Sequence, residues 1–446
     1  MQPHRSIRTI LLTFFLIFLQ ACTFDFSLAT EAVPTATAAP TQQEVSVPSP
    51  APNSVIAAYI KSRNLYVWDS TTNQSRELAN SDDVIDLRIS DDGERIAFVR
   101  WAMYDQQGIQ GEASLWVVDA SGEHEKVLVP ADSLHQRLNV SGTDLSVDIG
   151  DMLWVPHTHR LIYNEEAGDA GGDILGQAGD VYVVDADTLS DTLLAPAGNA
   201  ASTADADGPW FSLSPDGTQL AMFTSTEISF VNIDGSNLRQ TVLRYPPAGI
   251  GGDTLLRTTA VWAQDNSAVL LNAPLSGDAT VGFSFSITRV PVDGSPAKVV
   301  VYVANSLPNT LTYAPDGTRI AFRAQADSGM SWQIMLLDEG LGPLAIPSQY
   351  FFDDTNLHWS PAGDAFVSDQ GNFWQVCPNA KSSSEVCGDP AEIGSMATIR
   401  WIDGNRFLFV SGSVLFLYDR EHGTSTPVAT WPLEESRHPF SATLLP

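Results

Sequence analysis

One short pattern recurs along this chain: an aromatic or aliphatic residue, a tight turn of the Ser-Pro-Asp-Gly type, and then a short apolar run. The sequence contains seven copies, which begin at Ile89, Trp154, Leu213, Trp262, Tyr313, Trp359 and Trp401. Periods of about 40 to 50 residues with strand-like content are typical of propellers and other repeat arrays. The repeat therefore constrains the fold more than any other feature of the sequence.

The copy "LSPDGTQLAMF", Leu213 to Phe223, shows why the pattern forms a hairpin. Proline presets the backbone angle of the second turn position, and glycine adopts the left-handed conformation that a bulged three-residue hairpin requires. The run after the turn is apolar at nearly every position, whereas a strand with one face in water would alternate. Each copy is thus predicted to be strand, hairpin and a second strand that is buried on both faces.

A third strand follows each hairpin and ends, in most copies, in an aspartate that can accept hydrogen bonds from the next turn. These runs end at Asp69, Asp119, Asp185, Asp234, Asp293, Asp338 and Asp419. The remaining run, "FWQVC", ends at Cys377 instead. A short fourth strand such as "KVLV" or "RELA" follows most of them.

The sequence therefore has eight third strands but seven hairpins, because the first unit lacks a first strand. The run "FSATLL", Phe440 to Leu445, can supply that strand from the other end of the chain. Closing a ring in this way removes a free sheet edge. We predict an all-β fold, a β-propeller of four-stranded blades over residues 55–446. We count eight blades and expect strands from both termini to close the ring. Seven blades is the alternative if the first unit or the "HTHR" unit is not a true blade.

The lines "LSPDGTQLAMF", "YAPDGTRIAFR" and "WSPAGDAFV", each with a later strand like "IMLLD", resemble the WD40-like (PD40) repeats of the TolB-type β-propeller. The resemblance runs from Val55 to about Trp431 and implies the fold, with partner binding carried over by analogy alone. Related propellers also cap serine peptidases of the prolyl oligopeptidase kind. The Gly-x-Ser-x-Gly elbow that such a hydrolase domain needs is not found in this sequence.

The beginning of the chain indicates export. A basic start precedes the apolar run Ile10–Leu19, which is too short to span a bilayer as a helix but fits a secretory signal. Leu19-Gln20-Ala21-Cys22 then resembles a bacterial lipobox, which implies a lipoprotein signal peptide at residues 1–21 and lipidation of Cys22. The alternative is a soluble secreted protein cleaved near Ala29. The lipoprotein hypothesis places the protein in the bacterial cell envelope, outside the cytoplasm and anchored to a membrane.

Residues 22–54 are rich in proline, alanine, threonine and serine, and the stretch from Thr30 to Ser54 has no aromatic residue. Such a composition cannot bury enough apolar area to offset the entropy of ordering, so we interpret the segment as a disordered tether. The formal net charge of the chain is -30. Nucleic-acid binding needs clustered Lys and Arg, so a nucleic-acid partner is not expected.

Two cysteines remain beyond Cys22, namely Cys377 and Cys387. An even pair in an exported chain favours a disulfide, here in the place where other copies have the turn aspartate. Two free buried thiols are the alternative.

Long connections, among them the loop from Pro130 to Asp148, are predicted at one face of the ring, and function tends to reside on such loops. One Gly-rich connection carries the candidate acidic binding region Glu165, Glu166, Asp169, Asp173 and Asp180. Flexible carboxylates could bind calcium, although no EF-hand spacing is present and solvated loop acids are the alternative. No cofactor, catalytic residue or metal ligand is predicted outright.

We therefore expect a lipid-tethered binding or scaffold module for a protein, peptide or glycan. The alternative is a propeller hydrolase or lyase with a metal or polar site in the central channel. Some propeller lyases use histidines around such a metal, and His157, His159 and His358 are the histidines of interest in this sequence.

Overall fold

The protein is represented by a computed structural model. It describes residues 53–103, 111–138, 145–169, 180–196, 210–224, 226–247, 258–275, 284–303, 312–315, 317, 319–326, 329–336, 344–345, 357–368, 372–376, 386–392, 397–432 and 439–445. Contacts divide the chain into Met1–Val47 and Pro48–Pro446, and every described residue belongs to the second unit.

The first sheet brings together the two ends of the described chain. Its order is β3-β2-β1-β32, with β1 at Val55–Lys61, β2 at Asn64–Asp69, β3 at Gln74–Ala79 and β32 at Phe440–Leu444. Strand β32 runs antiparallel to β1 in a register that sets Val55 opposite Leu444. The C-terminal run singled out in the sequence therefore adds the strand that the first unit lacks.

Two consecutive meanders form one sheet of eight strands. The first comprises β4 (Val84–Ile89), β5 (Arg95–Met103), β6 (Gly111–Asp119) and β7 (Lys126–Val129). The second comprises β8 (Leu145–Trp154), β9 (Arg160–Asp169), β10 (Val181–Asp185) and β11 (Asp191–Ala195). A single parallel pair, Glu112 with Val147, joins β6 to β8, whereas the other strand pairs described in this sheet are antiparallel.

Five further sheets have four strands each, paired in chain order. Their strands are β12 (Trp210–Leu213), β13 (Gln219–Phe223), β14 (Glu227–Asn232) and β15 (Arg239–Arg244); β16 (Ala260–Trp262), β17 (Ala268–Pro274), β18 (Phe285–Pro291) and β19 (Lys298–Val303); β20 (Thr312–Tyr313), β21 (Arg319–Ala326), β22 (Gly329–Leu336) and β23 (Leu344–Ala345); β24 (Leu357–Trp359), β25 (Ala365–Ser368), β26 (Asn372–Val376) and β27 (Val386–Glu392); β28 (Ala397–Trp401), β29 (Arg406–Ser411), β30 (Val414–Asp419) and β31 (Thr424–Thr430).

The turns of the repeat adopt the predicted geometry. In the turn between β12 and β13, the amide of Gly217 donates to the carbonyl of Ser214 at 2.8 Å, and Gly217 has a φ of 70°. A Cβ atom at this glycine would lie 3.0 Å from Cδ of Pro156 in the preceding copy. Glycine is thus required both by the left-handed backbone and by the close approach of the neighbouring turn.

The carboxylate of Asp119 pairs with Arg95 and His124 instead of a turn amide, and Asp338 lies outside the described residues, but the other five aspartates that end third strands close the next turn, as predicted. Each accepts a hydrogen bond from a backbone amide two or three residues later, at 2.7 to 3.1 Å. These aspartates are Asp69, Asp185, Asp234, Asp293 and Asp419.

The second strands carry the core. Strand β17 is buried at all seven positions and β25 at all four, which agrees with their continuous apolarity. Clusters of buried residues join successive meanders, and one of them contains both Phe230 of β14 and Val269 of β17. Another cluster joins the last meander to the first sheet, through Leu408 of β29 and through Val55 and Tyr59 of β1.

These features establish an all-β propeller fold. The number of blades stays a prediction: the described strands form seven sheets, and eight blades result if the eight-stranded sheet is divided at its parallel pair. Ring closure by both termini is likewise kept as our interpretation of the β1–β32 pairing.

One element departs from the sequence interpretation. The connection from Pro130 to Asp148 is a loop in that interpretation, but it contains the helix α1, Ala131–Leu138. Pro130 directly precedes the first helical residue, a position where its lack of an amide hydrogen has no cost. Among the described residues, no helix is long and apolar enough to cross a membrane.

Candidate functional site

The first strands of neighbouring meanders lie against one another. Contacts join β4 to β8, β12 to β16, β20 to β24, and β24 to β28. The first strand of each meander is therefore the strand nearest the common axis. Side chains on the face of this strand that is turned towards the axis line the central channel.

Tryptophans at the start of the repeat fix these strands relative to one another. The indole Nε1 of Trp154 donates to the carbonyl of Arg88 at 3.0 Å, and Trp262 donates likewise to Ser212 at 2.9 Å. The indole Nε1 of Trp401 on β28 donates in the same way to the carbonyl of His358 at 2.9 Å. In each case the accepting carbonyl belongs to the residue that directly precedes the previous copy of the repeat. This bond holds equivalent residues at equivalent heights along the channel.

Charged side chains occupy the channel side of three of these strands. Asp86 and Arg88 lie on β4, Asp151 on β8 and Arg400 on β28. The Nη1 of Arg88 lies 2.9 Å from Oδ1 of Asp86, and its Nη2 lies 3.8 Å from Oδ1 of Asp151. We call these four residues the channel charge group.

The channel charge group gathers residues that are far apart in the sheet order. Strand β28 belongs to the last sheet, and β4 and β8 belong to the second, with the sheet of β1 and β32 between them. The charge of Arg400 nevertheless acts on Asp151, and the charge of Arg88 acts on Arg400. Residues of non-neighbouring sheets can interact in this way where all of them face one central channel.

Ionisation within the group reflects both burial and the neighbouring charges. Burial raises the pKa of Asp151, and the negative charge of Asp86 adds to that rise, while the amide of Met152 and the two arginines oppose it. Surrounding protein atoms and the positive charge of Arg88 lower the pKa of Arg400. The side chain of Arg400 nevertheless keeps contact with solvent, as expected for a group that faces a channel. The positive charge of Arg88 thus adds to the effect of burial on Arg400.

The arrangement suits a ligand with a carboxylate. A guanidinium binds a carboxylate through two parallel hydrogen bonds, and it is more weakly hydrated than an ammonium group. An added anion between Arg88 and Arg400 would relieve their repulsion. Asp86 and Asp151 would at the same time accept hydrogen bonds from amide or hydroxyl donors of the same ligand. The two arginines precede the short turns that follow β4 and β28, so the group lies towards the turn end of the channel.

The structure corrects the placement of the predicted acidic loop. Glu165, Glu166 and Asp169 lie on strand β9 and not in a loop, because β9 extends to Asp169. Glu165 is fully buried, which excludes it as a solvated loop acid. Asp180 lies directly before β10, and Asp173 falls outside the described residues. That this acidic region binds a ligand stays a prediction.

Glu165 belongs to a buried polar cluster beneath helix α1. The Nη1 of Arg137 lies 3.1 Å from Oε1 of Glu165 and donates to the hydroxyl of Tyr163 at 2.5 Å. Arg137 also pairs with Asp191, whose Oδ2 accepts the Tyr163 hydroxyl at 2.9 Å. The guanidinium lies 4.2 Å from the centre of the Tyr182 ring. These contacts attach the helix to three strands of the second meander.

The cluster is electrostatically unbalanced at Glu165. Burial raises the pKa of Glu165 to about 7, and Arg137 offsets only part of that effect. Its second oxygen, Oε2, is buried and has no hydrogen-bond partner among the described residues. Burial and the nearby carboxylates of Glu165 and Asp180 raise the pKa of Tyr182 to about 12. We interpret the cluster as a support for α1, with one carboxyl that gains a proton near neutral pH.

Other predicted residues fall partly outside the described ranges. Cys22 and Cys377 are not described, and Cys387 lies on β27 opposite Gln375. The lipidation and the disulfide therefore stay predictions.

The three histidines of interest separate into two places. His358 lies on β24 as expected, one residue before Trp359. His157 and His159 lie in the turn between β8 and β9, away from the channel.

Sequence reasoning missed the channel charge group because its members lie on three strands that are far apart in the sequence. The signal was present in the alignment of the copies. Arg88 and Arg400 both occupy the position just before the repeat starts, where Ser212 and His358 also stand. An arginine at an inward position of a buried strand departs from the pattern of the repeat, and such departures are expected at functional sites.

No protein-family model matches this chain, and no curated protein matches it. Solved structures do match, and they share its fold. TolB from Acinetobacter baumannii is 14% identical with a TM-score of 0.31, over 64% of this chain and 62% of TolB. An oligogalacturonate lyase in complex with manganese is 14% identical with a TM-score of 0.42, over 74% of this chain and 81% of the lyase.

The β-propeller domain of the Trilobed protease from Pyrococcus furiosus is 11% identical with a TM-score of 0.46. The match covers 80% of this chain and 98% of that domain. This chain thus aligns with less than two thirds of TolB but with nearly all of the protease propeller. At these identities the likeness concerns the fold alone.

Proposed function

We propose that this protein is an extracytoplasmic β-propeller binding module, tethered to a membrane through Cys22, whose channel binds an acidic segment of a peptide or protein partner. The observation that carries the proposal is the channel charge group itself, in which Arg88 pairs with Asp86 and lies near Asp151, and in which Arg400 from a non-neighbouring sheet is within electrostatic reach of Arg88 and Asp151, in a strongly acidic protein. The channel charge group is formally neutral, with two arginines and two aspartates, so in a chain of net charge -30 it offers a carboxylate guanidinium donors without a local excess of negative charge.

Three features support this choice over a scaffold without a defined site. The channel charge group stands on rigid strands, which position side chains more accurately than loops do. It contains both signs of charge, so it can bind a carboxylate and a neighbouring amide donor together. The tryptophan bonds fix the backbone beneath Arg88 and the strand that carries Arg400. The long connections predicted to form a second binding surface, at the opposite end of the channel, remain part of the hypothesis.

Peptide display tests the proposal even while the partner is unidentified. A random peptide library is selected on the immobilised protein and counter-selected on its Arg400→Gln variant. We expect the enriched peptides to carry a free C-terminal carboxylate or acidic side chains. Their affinity should fall roughly tenfold or more in Arg400→Gln, since a lost charged hydrogen bond typically costs about 1.5 to 3 kcal/mol.

Arg244→Gln is the matched control. It removes the same charge from a side chain that is 75% exposed and lies outside the channel, where it pairs with Glu227 at 3.5 Å. Peptides that bind wild type, Arg400→Gln and Arg244→Gln equally would overturn the proposal. So would a library that yields no saturable binder. The alternative function, a propeller enzyme with a metal or polar site in the channel, stays a prediction.

A further inference from the structure

A second group of side chains lies at the turn face, between the meander of β4–β7 and that of β8–β11. It comprises His159 from the β8–β9 turn, Asp92 and Glu94 from the β4–β5 turn, and Asp187 from the β10–β11 turn. His159 is mostly buried, with 16% of its side chain exposed. None of these residues belongs to the channel charge group or to the cluster beneath α1.

Both nitrogens of the His159 ring face carboxylates. The Nε2 lies 2.9 Å from Oδ2 of Asp92 and 3.7 Å from Oε2 of Glu94. The Nδ1 lies 2.9 Å from Oδ2 of Asp187. A carboxylate can only accept a hydrogen bond, so Nδ1 donates to Asp187, and Nε2 is directed at two further carboxylates.

Two of the three carboxylates are held in place by other bonds. In Asp92, Oδ1 accepts the Ser90 hydroxyl at 2.6 Å and the Glu94 amide at 2.9 Å, which leaves Oδ2 to face His159. Asp187 in turn accepts a hydrogen bond at 3.2 Å from Nη2 of Arg95, the first residue of β5. Asp92 and Asp187 are therefore positioned around His159 before any ligand binds, whereas Glu94 reaches it from a side chain that is 65% exposed.

Two of these residues, Glu94 and His159, depart from the pattern of the repeat. The position of Glu94 and His159 holds Thr218 and Ser267 in the next two copies. Those hydroxyls bond to the aspartate of their own turn, at 2.9 Å in the first copy and 2.5 Å in the second. Glu94 and His159 instead approach each other across the gap between two meanders. The chemistry of the turn therefore does not explain why these two residues are present.

We infer that Asp92, Glu94 and His159 form a binding site for a transition-metal cation, with Zn²⁺ as the ion that the ligand set fits best. Their donor atoms lie within 4.8 Å of one another. Three protein ligands of the imidazole and carboxylate type, with water in the fourth position, are a common open zinc site. The metal takes the place of the proton on Nε2.

Asp187 completes the arrangement as a positioning residue. A metal-binding histidine usually donates its other ring N–H to a carboxylate, which fixes the ring and increases its basicity. The bond from Nδ1 to Asp187 has this geometry. Calcium is disfavoured here, because it takes six to eight oxygen ligands and imidazole suits zinc, copper, iron and nickel.

The test uses the full chain in detergent, dialysed against chelator and carrying no polyhistidine tag. Zn²⁺ is titrated in by calorimetry, and Co²⁺ is added separately to record its absorption spectrum. We expect one zinc ion per chain and a visible Co²⁺ band of a four-coordinate site. His159→Gln and Glu94→Gln should weaken zinc binding by roughly tenfold or more, and Asp187→Asn by about tenfold.

His422→Gln is the matched control. His422 pairs with Asp419 through Nδ1 at 2.8 Å, as His159 pairs with Asp187, and its side chain is 67% exposed. Zinc binding should be unchanged in this variant. Near-UV circular dichroism checks folding, and Glu94→Gln alters a side chain that is 65% exposed, so it keeps the test valid if His159→Gln unfolds. No saturable binding, or equal binding by wild type and Glu94→Gln, would overturn the inference.

Discussion

Replacing Glu165 by glutamine should stabilise the protein at alkaline pH, although it removes one partner of an ion pair. Glu165 is fully buried, and burial raises its pKa from 4.5 to about 7 despite the adjacent Arg137. The folded state therefore holds a proton on Glu165 between pH 4.5 and about 7, whereas the unfolded chain has released it. Stability falls with rising pH wherever the folded state binds more protons.

The size of the effect follows from the two pKa values. One pKa unit corresponds to about 1.4 kcal/mol, so a rise from 4.5 to about 7 lowers the free energy of unfolding at pH 8 by about 3 kcal/mol. Glutamine has the same shape as the protonated acid and no charge at any pH. We expect Glu165→Gln to match wild type near pH 4.5 and to exceed it by roughly 1 to 3 kcal/mol at pH 8.

Urea unfolding followed by tryptophan fluorescence at several pH values measures this difference. Arg137 keeps its bonds to Asp191 and Tyr163 in the variant, so the helix should stay attached. Glu227→Gln is the control, since Glu227 pairs with an exposed arginine and should change stability by less than about 1 kcal/mol. A Glu165→Gln protein that is less stable than wild type at pH 8, with an unchanged pH dependence, would refute the reasoning.

Three further predictions concern other parts of the chain. Gly217→Ala should lower the free energy of unfolding by about 1 to 2 kcal/mol, because its φ of 70° and its closeness to Pro156 disfavour a side chain; an unchanged melting temperature would argue against that strain. Cys22→Ser should release the protein from the membrane fraction on cell fractionation, and a variant that stays with the membranes would show that this cysteine is not the anchor. Reduction should lower the unfolding free energy by about 2 to 4 kcal/mol if Cys377 and Cys387 are bonded, and identical melting curves would indicate free thiols.

The sequence predicted the local structure of the repeat in detail. Each hairpin contains its own turn chemistry, such as Pro215-Asp216-Gly217, and each third strand contains its own turn aspartate, so the geometry is determined within a few residues. The added C-terminal strand was also predictable, because the first unit visibly lacked a first strand. These features depend on neighbours in sequence or on counting copies.

The candidate sites were not predictable in the same way. Arg88, Asp151 and Arg400 influence one another because first strands converge on an axis, and a signal of this is present only in the alignment of the copies, not in the residues around each position. The placement of Glu165 was wrong because its strand continues into a polar run that reads as a loop. Helix α1 then buries that carboxyl. A helix of eight residues is too short for its apolar periodicity to be recognised in the sequence.

The convergence of distant sheets on one charged channel is the central claim, and the ionisation of Asp151 tests it most directly. The positive charge of Arg400 lowers the pKa of Asp151 across the channel, against the rise caused by burial. A carbon-13 NMR titration of the aspartate carboxyl groups, assigned with Asp151→Asn, measures that pKa in wild type, Arg400→Gln and Arg244→Gln. We predict that it rises in Arg400→Gln and is unchanged in Arg244→Gln. An Asp151 that titrates identically in wild type and Arg400→Gln would contradict the account.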